Sequence, residues 1–317
     1  MNHPDIEFPP AIFLMGPTAS GKSAMALEIA RHFPVEIIAV DSAQVYRYMD
    51  IGSAKPDKST QAEIPHHLID LINPDESYSA ARFREDALLL MHEITAHGKV
   101  PLLVGGTMLY FKVLRQGLAM LPSADDAMRE ELEQLALKQG WPAMHAVLSR
   151  LDPVTAGRIQ PNDSQRIQRA LEVCYLTGKP MSEMLEQQQN TSFPFRVFNI
   201  ALLPSERGVL HEHISQRFSV MLEAGLVDEV RTVREQFNVS GDMPSMRCVG
   251  YRQVCMYLDN EIDLERMREM GVFATRQLAK RQLTWLRSMN ELRVFDCLDE
   301  QLSSQILRFI QEKRIFS

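Results

Sequence analysis

The segment Gly16-Pro17-Thr18-Ala19-Ser20-Gly21-Lys22-Ser23 constrains this chain more than any other, because it fits G-x-x-x-x-G-K-[ST] and lies between an apolar run and a helical pattern. Ile12–Met15 reads as a strand and Gly21–His32 as a helix, so the octapeptide is the turn of a strand–loop–helix unit. Glycines let the backbone N–H groups face phosphate oxygens, and the helix N-terminus adds partial positive charge. Lys22 supplies a mobile cation and Ser23 a hydroxyl for Mg²⁺. Such a P-loop implies a mostly parallel α/β sheet. It does not say which phosphorylated compound is held.

Further strands are predicted at Glu36–Val40, His67–Ile72 and Val100–Val104, with a helix over Ala80–His97 between Ser79 as N-cap and Gly98 as stop. Strand character returns only at Phe198–Leu203. The gap is almost wholly helical, at Asp125–Gln139, Pro142–Leu151, Ser164–Thr177 and a short piece from Pro180, and is punctuated by Gly140, Pro153, Pro161, Gly178 and Pro194. Helical runs follow at Glu206–Ala224, Val227–Gln236, Tyr251–Leu258, Leu264–Ser288 and Gln301–Lys313. The expected fold is therefore α/β: a P-loop NTPase-like parallel core with a helical insertion and a helical C-terminal part. Residues 1–122 form the first part of the core, 123–197 the insertion and 198–317 the rest. No internal repeat or low-complexity tract is present, and the Gln187-Gln188-Gln189 triplet is too short to count.

Composition decides less. With 45% hydrophobic and 24% charged residues in 317, the chain suits an ordinary globular protein with a sizeable core. Met1–Glu7 lacks a basic stretch, and the apolar run Ala11–Met15 is too short for a signal or a membrane span, so a cytoplasmic location without membrane contact is expected. Four cysteines, Cys174, Cys248, Cys255 and Cys297, are widely spaced with no C-x-x-C pair, and read as reduced packing thiols. No long apolar heptad run suggests an oligomer, so a monomer is expected. The net charge of −7 argues against a polyanionic partner. A local reversal outweighs it: Arg276, Lys280, Arg281, Arg287 and Arg293 stand against the single acid Glu291.

An NTPase normally closes an apolar strand with an Asp that helps hold magnesium. The Val100 strand ends instead in Gly105-Gly106-Thr107, whereas the Glu36 strand ends in Asp41-Ser42. Ligands in such sheets bind beyond the carboxyl ends of the strands, so Asp41, Thr107 and the P-loop are expected in one crevice. On position alone, Asp41 could also be an Asx-turn or N-cap residue, and Thr107 could cap a helix starting near Met108.

Several segments together resemble the tRNA dimethylallyltransferase family. They are the P-loop with its Pro-Thr-Ala-Ser interior, Asp41-Ser42-Ala43-Gln44-Val45-Tyr46, Met49-Asp50-Ile51-Gly52-Ser53-Ala54-Lys55-Pro56, Pro65-His66-His67-Leu68-Ile69-Asp70 and Gly105-Gly106-Thr107-Met108-Leu109-Tyr110. Asn162 to Glu172, Arg247 to Gln253 and Thr275 to Arg287 continue the pattern in the same order. Ser53 and Ser23 stand where Thr is common and keep the hydroxyl, and the zinc-finger extension of eukaryotic relatives is absent.

The resemblance implies transfer of a dimethylallyl group from dimethylallyl diphosphate to N6 of adenosine 37 in tRNAs reading codons that begin with U. The P-loop residues Gly16, Pro17, Thr18, Ala19, Ser20, Gly21, Lys22 and Ser23, with Arg217, would hold the diphosphate, aided by Mg²⁺ on Ser23. Asp41 and Thr107 would be catalytic, Asp41 accepting the amine proton. Contacts to tRNA would come from Asp41, Ser42, Ala43, Gln44, Thr107 and Arg129; from Gln165, Arg166, Ile167, Gln168 and Arg169; from Arg247, Cys248, Val249, Gly250, Tyr251 and Arg252; and from Lys280, Arg281, Gln282, Leu283, Thr284, Trp285, Leu286 and Arg287. The insertion lies where P-loop kinases place a lid and is expected to close over the anticodon stem. Taken singly, each basic segment is also a solvated helix face, and Trp285 also fits a core position. A P-loop nucleotide kinase, a non-catalytic RNA-binding NTPase and a prenyltransferase acting on free adenine nucleotides are the competing readings. The insertion and the basic C-terminal segments exceed what a small acceptor needs.

Overall fold

The computed structural model describes residues 8–117, 121–186 and 193–316; Met1–Glu7 and the Gln187-Gln188-Gln189 triplet lie outside the described residues. The chain divides into two compact units, Met1–Arg115 with Phe193–Ser317, and Gln116–Ser192. The boundaries fall a few residues before those expected at 123 and 198. On the C-terminal side the reason is packing: Phe195 is buried in the core under the sheet and Phe193 lies against it.

The first unit opens with β1 (Pro10–Met15), α1 (Lys22–His32), β2 (Val35–Val40), α2 (Lys58–Glu63), β3 (His66–His67), α3 (Ala80–Ala96), β4 (Val100–Gly105) and α4 (Met108–Gln116). The second unit holds α5 (Asp126–Gln139), α6 (Trp141–Leu151), α7 (Pro153–Ala156), α8 (Ser164–Thr177) and α9 (Met181–Glu186). The first resumes with β5 (Arg196–Leu203), α10 (Arg207–Glu223), α11 (Leu226–Phe237), α12 (Tyr251–Leu258), α13 (Leu264–Arg287), β6 (Arg293–Asp296) and α14 (Leu302–Glu312). The six strands form one parallel sheet in the order β3-β2-β4-β1-β5-β6. Because β1 lies between β4 and β5, the P-loop leaves the middle of the sheet.

Burial on both faces explains why β1 reads as a continuous apolar run and not as an alternation. Phe13 and Met15 point to one face, with Phe83, Met91, Phe111 and Leu286. Ile12 and Leu14 point to the other, with Ile29, Ile306 and Ile310 of α1 and α14. A third cluster joins Tyr46 and Met49 to Phe218, Tyr251 and Met267, fixing the loop after β2 against the C-terminal helices. The predicted cap is present, since Ser79 accepts a hydrogen bond from the Arg82 N–H at 3.1 Å, and Gly98 takes a positive φ of 73°.

The strand expected over His67–Ile72 is corrected to the two residues of β3. Leu68 and Asp70 adopt left-handed φ values of 61° and 55°, which break the ladder. Leu68, Ile69 and Ile72 are buried all the same, so their apolarity reports burial and not strand pairing. Asp70 instead accepts from Lys55 at 2.7 Å and Lys58 at 3.0 Å. The sequence reading missed three elements: β6, α2 and the single turn α7, whose Pro153 was read as punctuation. In β6 the side chains of Arg293 and Val294 are exposed on the sheet edge; α2 has no apolar periodicity and is held by Asp57, which accepts from the Thr60 N–H at 2.7 Å.

Candidate active site

At the carboxyl ends of β1, β2 and β4, three turns converge on one cavity of about 770 Å³, within the size range of small-ligand sites. The P-loop forms its floor. Ala19 and Gly21 take left-handed φ values of 63° and 79°, which bend successive amides toward a common centre. Gly21 is the N-cap of α1 and offers no side-chain cap, so the first-turn amides of that helix are left for a ligand.

Two cations stand over this floor. Lys22 Nζ donates to the Pro17 carbonyl at 2.6 Å, and burial together with Arg217 pulls its pKa down from 10.5 to about 8 against the opposing pull of Asp41. Arg217, on α10, lines the same cavity and makes no hydrogen bond or ion pair among the described residues. Burial holds its pKa below the usual guanidinium range, with Asp41 opposing. Two positive groups without a carboxylate partner, beside free helix-end amides, form a site for a multiply charged anion.

Asp41 makes the Asx-turn that its position allowed, and it also lines the cavity. Its Oδ1 accepts from the Ala43 N–H at 2.8 Å and the Gln44 N–H at 3.4 Å, making an Asx-turn, while Oδ2 makes no hydrogen bond among the described residues. Thr107 precedes α4, but its hydroxyl bonds elsewhere: Oγ1 accepts from the Ser42 N–H at 3.1 Å. That bond ties the turn after β4 to the turn that carries Asp41.

Ser42, Ala43 and Gln44 line the cavity, as do Arg247, Cys248, Val249 and Gly250. Burial, reinforced by Asp41, pushes the Cys248 thiol up to about 12, so this thiol is protonated and is no nucleophile at neutral pH. From α13, Arg281, Gln282 and Trp285 reach the cavity; Trp285 is 38% exposed and has Lys112 over its ring at 5.8 Å, so it is not a core residue. Arg252, Lys280, Thr284 and Arg287 are exposed. Tyr251, Leu283 and Leu286 are buried, so their side chains build the scaffold.

In the second unit, Gln165 and Arg166 are exposed on α8 whereas Ile167 is fully buried. Arg129 and Arg169 are not simply solvated. Both pair with Glu172, whose side chain is 0% exposed and which also accepts from the Asp125 N–H at 2.8 Å. Burial works to raise the Glu172 pKa, but the Arg169, Asp125 and Arg129 hydrogen bonds together hold it below the usual carboxylate range. Gln168 donates to the Arg129 carbonyl at 3.2 Å.

The sequence reading also left out part of the wall. Gly52, Ser53, Ala54 and His66 line one side, and Ile214, Phe218, Met221 and Leu278 give an apolar side. The loop that carries Gly52 is held by Glu229, which accepts from the N–H groups of Asp50, Ile51 and Gly52 at 2.9, 2.7 and 3.1 Å and from the Tyr251 hydroxyl at 2.6 Å. Nothing in the local sequence announces this, because Glu229 lies far along the chain on α11. Ser23 lines the cavity. Among the described residues, no group of three or more His, Cys, Asp or Glu side chains could hold a metal.

A family model described as IPP transferase matches residues 44–289, and one described as isopentenyl transferase matches residues 10–71. The chain belongs to the IPP transferase family. It is 81% identical over 317 residues to a tRNA dimethylallyltransferase of Nitrosomonas europaea, covering 100% of both chains. It is 64% identical over 303 residues to one of Nitrosospira multiformis, covering 96% of this chain and 94% of the relative. Among solved structures it is similar to a full-length tRNA isopentenylpyrophosphate transferase of Bacillus halodurans, with a TM-score of 0.71, 36% identity and 97% of each chain covered. A eukaryotic dimethylallyltransferase acting on tRNA gives a TM-score of 0.77 at 26% identity, covering 97% of this chain and 79% of that one.

Proposed function

We propose that this chain transfers the dimethylallyl group of dimethylallyl diphosphate to N6 of adenosine 37 in tRNAs that read codons beginning with U. One observation carries the reading: a single cavity holds a two-cation phosphate cradle, a carboxylate with a free oxygen and an apolar wall. A kinase site would supply the first two features, and the apolar wall beside the phosphates adds a surface on which a prenyl tail can lie. Two curated relatives, covered from end to end, are named tRNA dimethylallyltransferase.

In the proposed reaction the allylic C–O bond of the donor breaks and its electron pair leaves with the diphosphate. The P-loop amides, Lys22 and Arg217 stabilise that growing charge, and as fixed donors they need little reorganisation to do so. Ser23 would hold a Mg²⁺ ion against the diphosphate, and the ion would supply further neutralisation of the leaving group. The N6 lone pair forms the new C–N bond. As it does so the nitrogen becomes acidic, and Asp41 Oδ2 accepts its proton. The Asx-turn through Oδ1 and the Thr107 bond to Ser42 hold that carboxylate in place. Ile214, Phe218, Met221 and Leu278 provide a dry surface for the prenyl tail.

An adenine stacked in an anticodon loop cannot reach such a cavity, so the base must be extruded, and unpaired loops allow this at low cost. Arg247, Arg252, Lys280, Arg281 and Arg287, with Gln165 and Arg166 of the second unit, are the exposed groups proposed to meet the RNA. The setting is proposed as cytoplasmic, where the four free cysteines would stay reduced, and the working state as a monomer. No helix among the described residues is long and apolar enough to cross a membrane.

The test is to incubate the protein with dimethylallyl diphosphate, Mg²⁺ and unmodified tRNA carrying adenosine 37, then digest the RNA. N6-dimethylallyladenosine is expected. Consumption of ATP without that product would favour the kinase reading, and binding of tRNA that leaves it unmodified would favour the non-catalytic one.

A further inference from the structure

Gln282 has no place in the chemistry above, yet it touches both halves of the site. Its Oε1 accepts from the Thr18 N–H of the P-loop at 2.8 Å, and its Nε2 donates to the Gly106 carbonyl at 2.9 Å. Gln282 is only 7% exposed, so the two bonds form in a poorly solvated place; the Gly106 carbonyl also accepts from the Met108 N–H at 3.1 Å, whereas the Thr18 N–H would lose its partner with Gln282. The approach is also close. A β-carbon added at Gly106 would lie 2.3 Å from Gln282 Nε2, and the nearest P-loop atom, the Gly16 carbonyl oxygen, would be 3.4 Å away. A side chain at 106 would therefore press on this amide, whereas the backbone angles of Gly106 do not themselves call for a glycine.

The next residue, Thr107, carries the bond to Ser42 and so to the Asp41 turn. Three turns from separate strands thus form a chain: P-loop, Gln282, Gly106-Thr107, Ser42-Asp41. A carboxamide suits its centre, because it accepts at one end and donates at the other. With both ends engaged and the side chain buried, Gln282 is poorly placed to read a base, although its neighbours Arg281 and Trp285 are open.

We propose that Gln282 is a positioning residue that locks the P-loop to the Gly106-Thr107 turn and thereby sets the spacing between the diphosphate cradle and the Asp41 carboxylate. This inference rests on the transfer reaction proposed above. It separates α13 into two functions along one helix: the buried Gln282 holds the donor half of the site, while exposed Arg281 and Arg287 serve the acceptor. It also implies that donor use and RNA affinity respond to different residues of the same helix.

The experiment compares the full-length wild-type protein with Gln282→Met, Gln282→Glu and Gln282→Ala, measuring kcat/KM for dimethylallyl diphosphate at saturating tRNA and, separately, tRNA affinity by filter binding. Gln282→Met should lower donor kcat/KM roughly 10- to 100-fold while changing tRNA affinity by less than about two-fold. Gln282→Glu keeps the shape and the acceptor for Thr18 but turns an oxygen toward the Gly106 carbonyl. It should lose at least as much donor use, and it keeps the question testable if the Met variant fails to fold. Gly106→Ala should also damage donor use, and its added loss should shrink in the Gln282→Ala background, where the methyl finds room. A tRNA affinity that falls about five-fold or more with donor kinetics intact, or losses that simply add in the Gly106–Gln282 pair, would overturn the assignment. If the wild-type protein makes no dimethylallyladenosine at all, the reaction itself is refuted. If it does, and Gln282→Met matches it, only the role of Gln282 falls.

Discussion

Raising the pH should disable the diphosphate cradle through Lys22 alone. Burial and the neighbouring Arg217 draw the Lys22 pKa from 10.5 to about 8, so its charge is lost within the range where the protein can be assayed. At pH 7 about 90% of free enzyme carries the Lys22 cation and at pH 9 about 10%, so kcat/KM for the donor should fall roughly ten-fold over that interval. The donor's own phosphate ionisation, near a pH of about 6, lies below the window. The sign for stability is opposite. A lysine whose folded pKa is depressed leaves the native state with fewer bound protons than the unfolded chain between pH 8 and 10.5, so folding becomes more favourable as pH rises through that interval. Relative to Lys22→Met, which has nothing to titrate there, the unliganded wild type should gain up to about 3 kcal/mol across it. The assays are donor kcat/KM from pH 6.5 to 9.5 at saturating tRNA and urea unfolding of both proteins at matched pH. Lys22→Arg, which keeps its charge, should show a lower but flat profile. A wild-type profile that is flat to pH 9.5, or a Lys22→Arg profile that falls in parallel with it, would refute the reasoning.

Asp41→Asn should keep the Asx-turn acceptor while removing the base, lowering kcat on the order of 100-fold or more with tRNA affinity nearly unchanged; equal losses in both would point to a structural role. Glu229→Ala should destabilise the first unit by about 3 kcal/mol in urea unfolding, because the amides of Ile51 and Gly52 and the Tyr251 hydroxyl lose one charged acceptor together. A change below about 1 kcal/mol would mean that water replaces the carboxylate. Arg281→Ala should weaken tRNA binding and reduce the slope of log affinity against log salt by about one; an unchanged slope would show that it does not touch phosphate.

Most of the scaffold is readable from local chemistry. The helix Ser164–Thr177 stands as expected, because an N-cap Asp163, a left-handed Gly178 and a 3.6-residue apolar stripe all lie within the element itself. The strands β1, β2, β4 and β5 are legible because sheet burial leaves a dense apolar run. Where the apolar run and the backbone disagree, as over His67–Ile72, the sequence reading fails, since burial alone does not distinguish a ladder from an irregular buried segment.

The site divides along the same line. The sequence by itself determined the phosphate loop, Lys22, the absence of an acid after β4 and the acid at Asp41, because each depends on residue type at a fixed offset from a strand end. Tertiary structure alone decided that Arg217 stands unpaired beside Lys22, and that Thr107 bonds the Asp41 turn instead of capping α4. It also decided that Arg129 and Arg169 are committed to Glu172, and that Gln282 and Glu229 brace turns more than 170 positions away. The physical reason is that a hydrogen bond or ion pair is fixed by a few ångströms in space. Separation along the chain leaves no trace of it in the pattern around either partner.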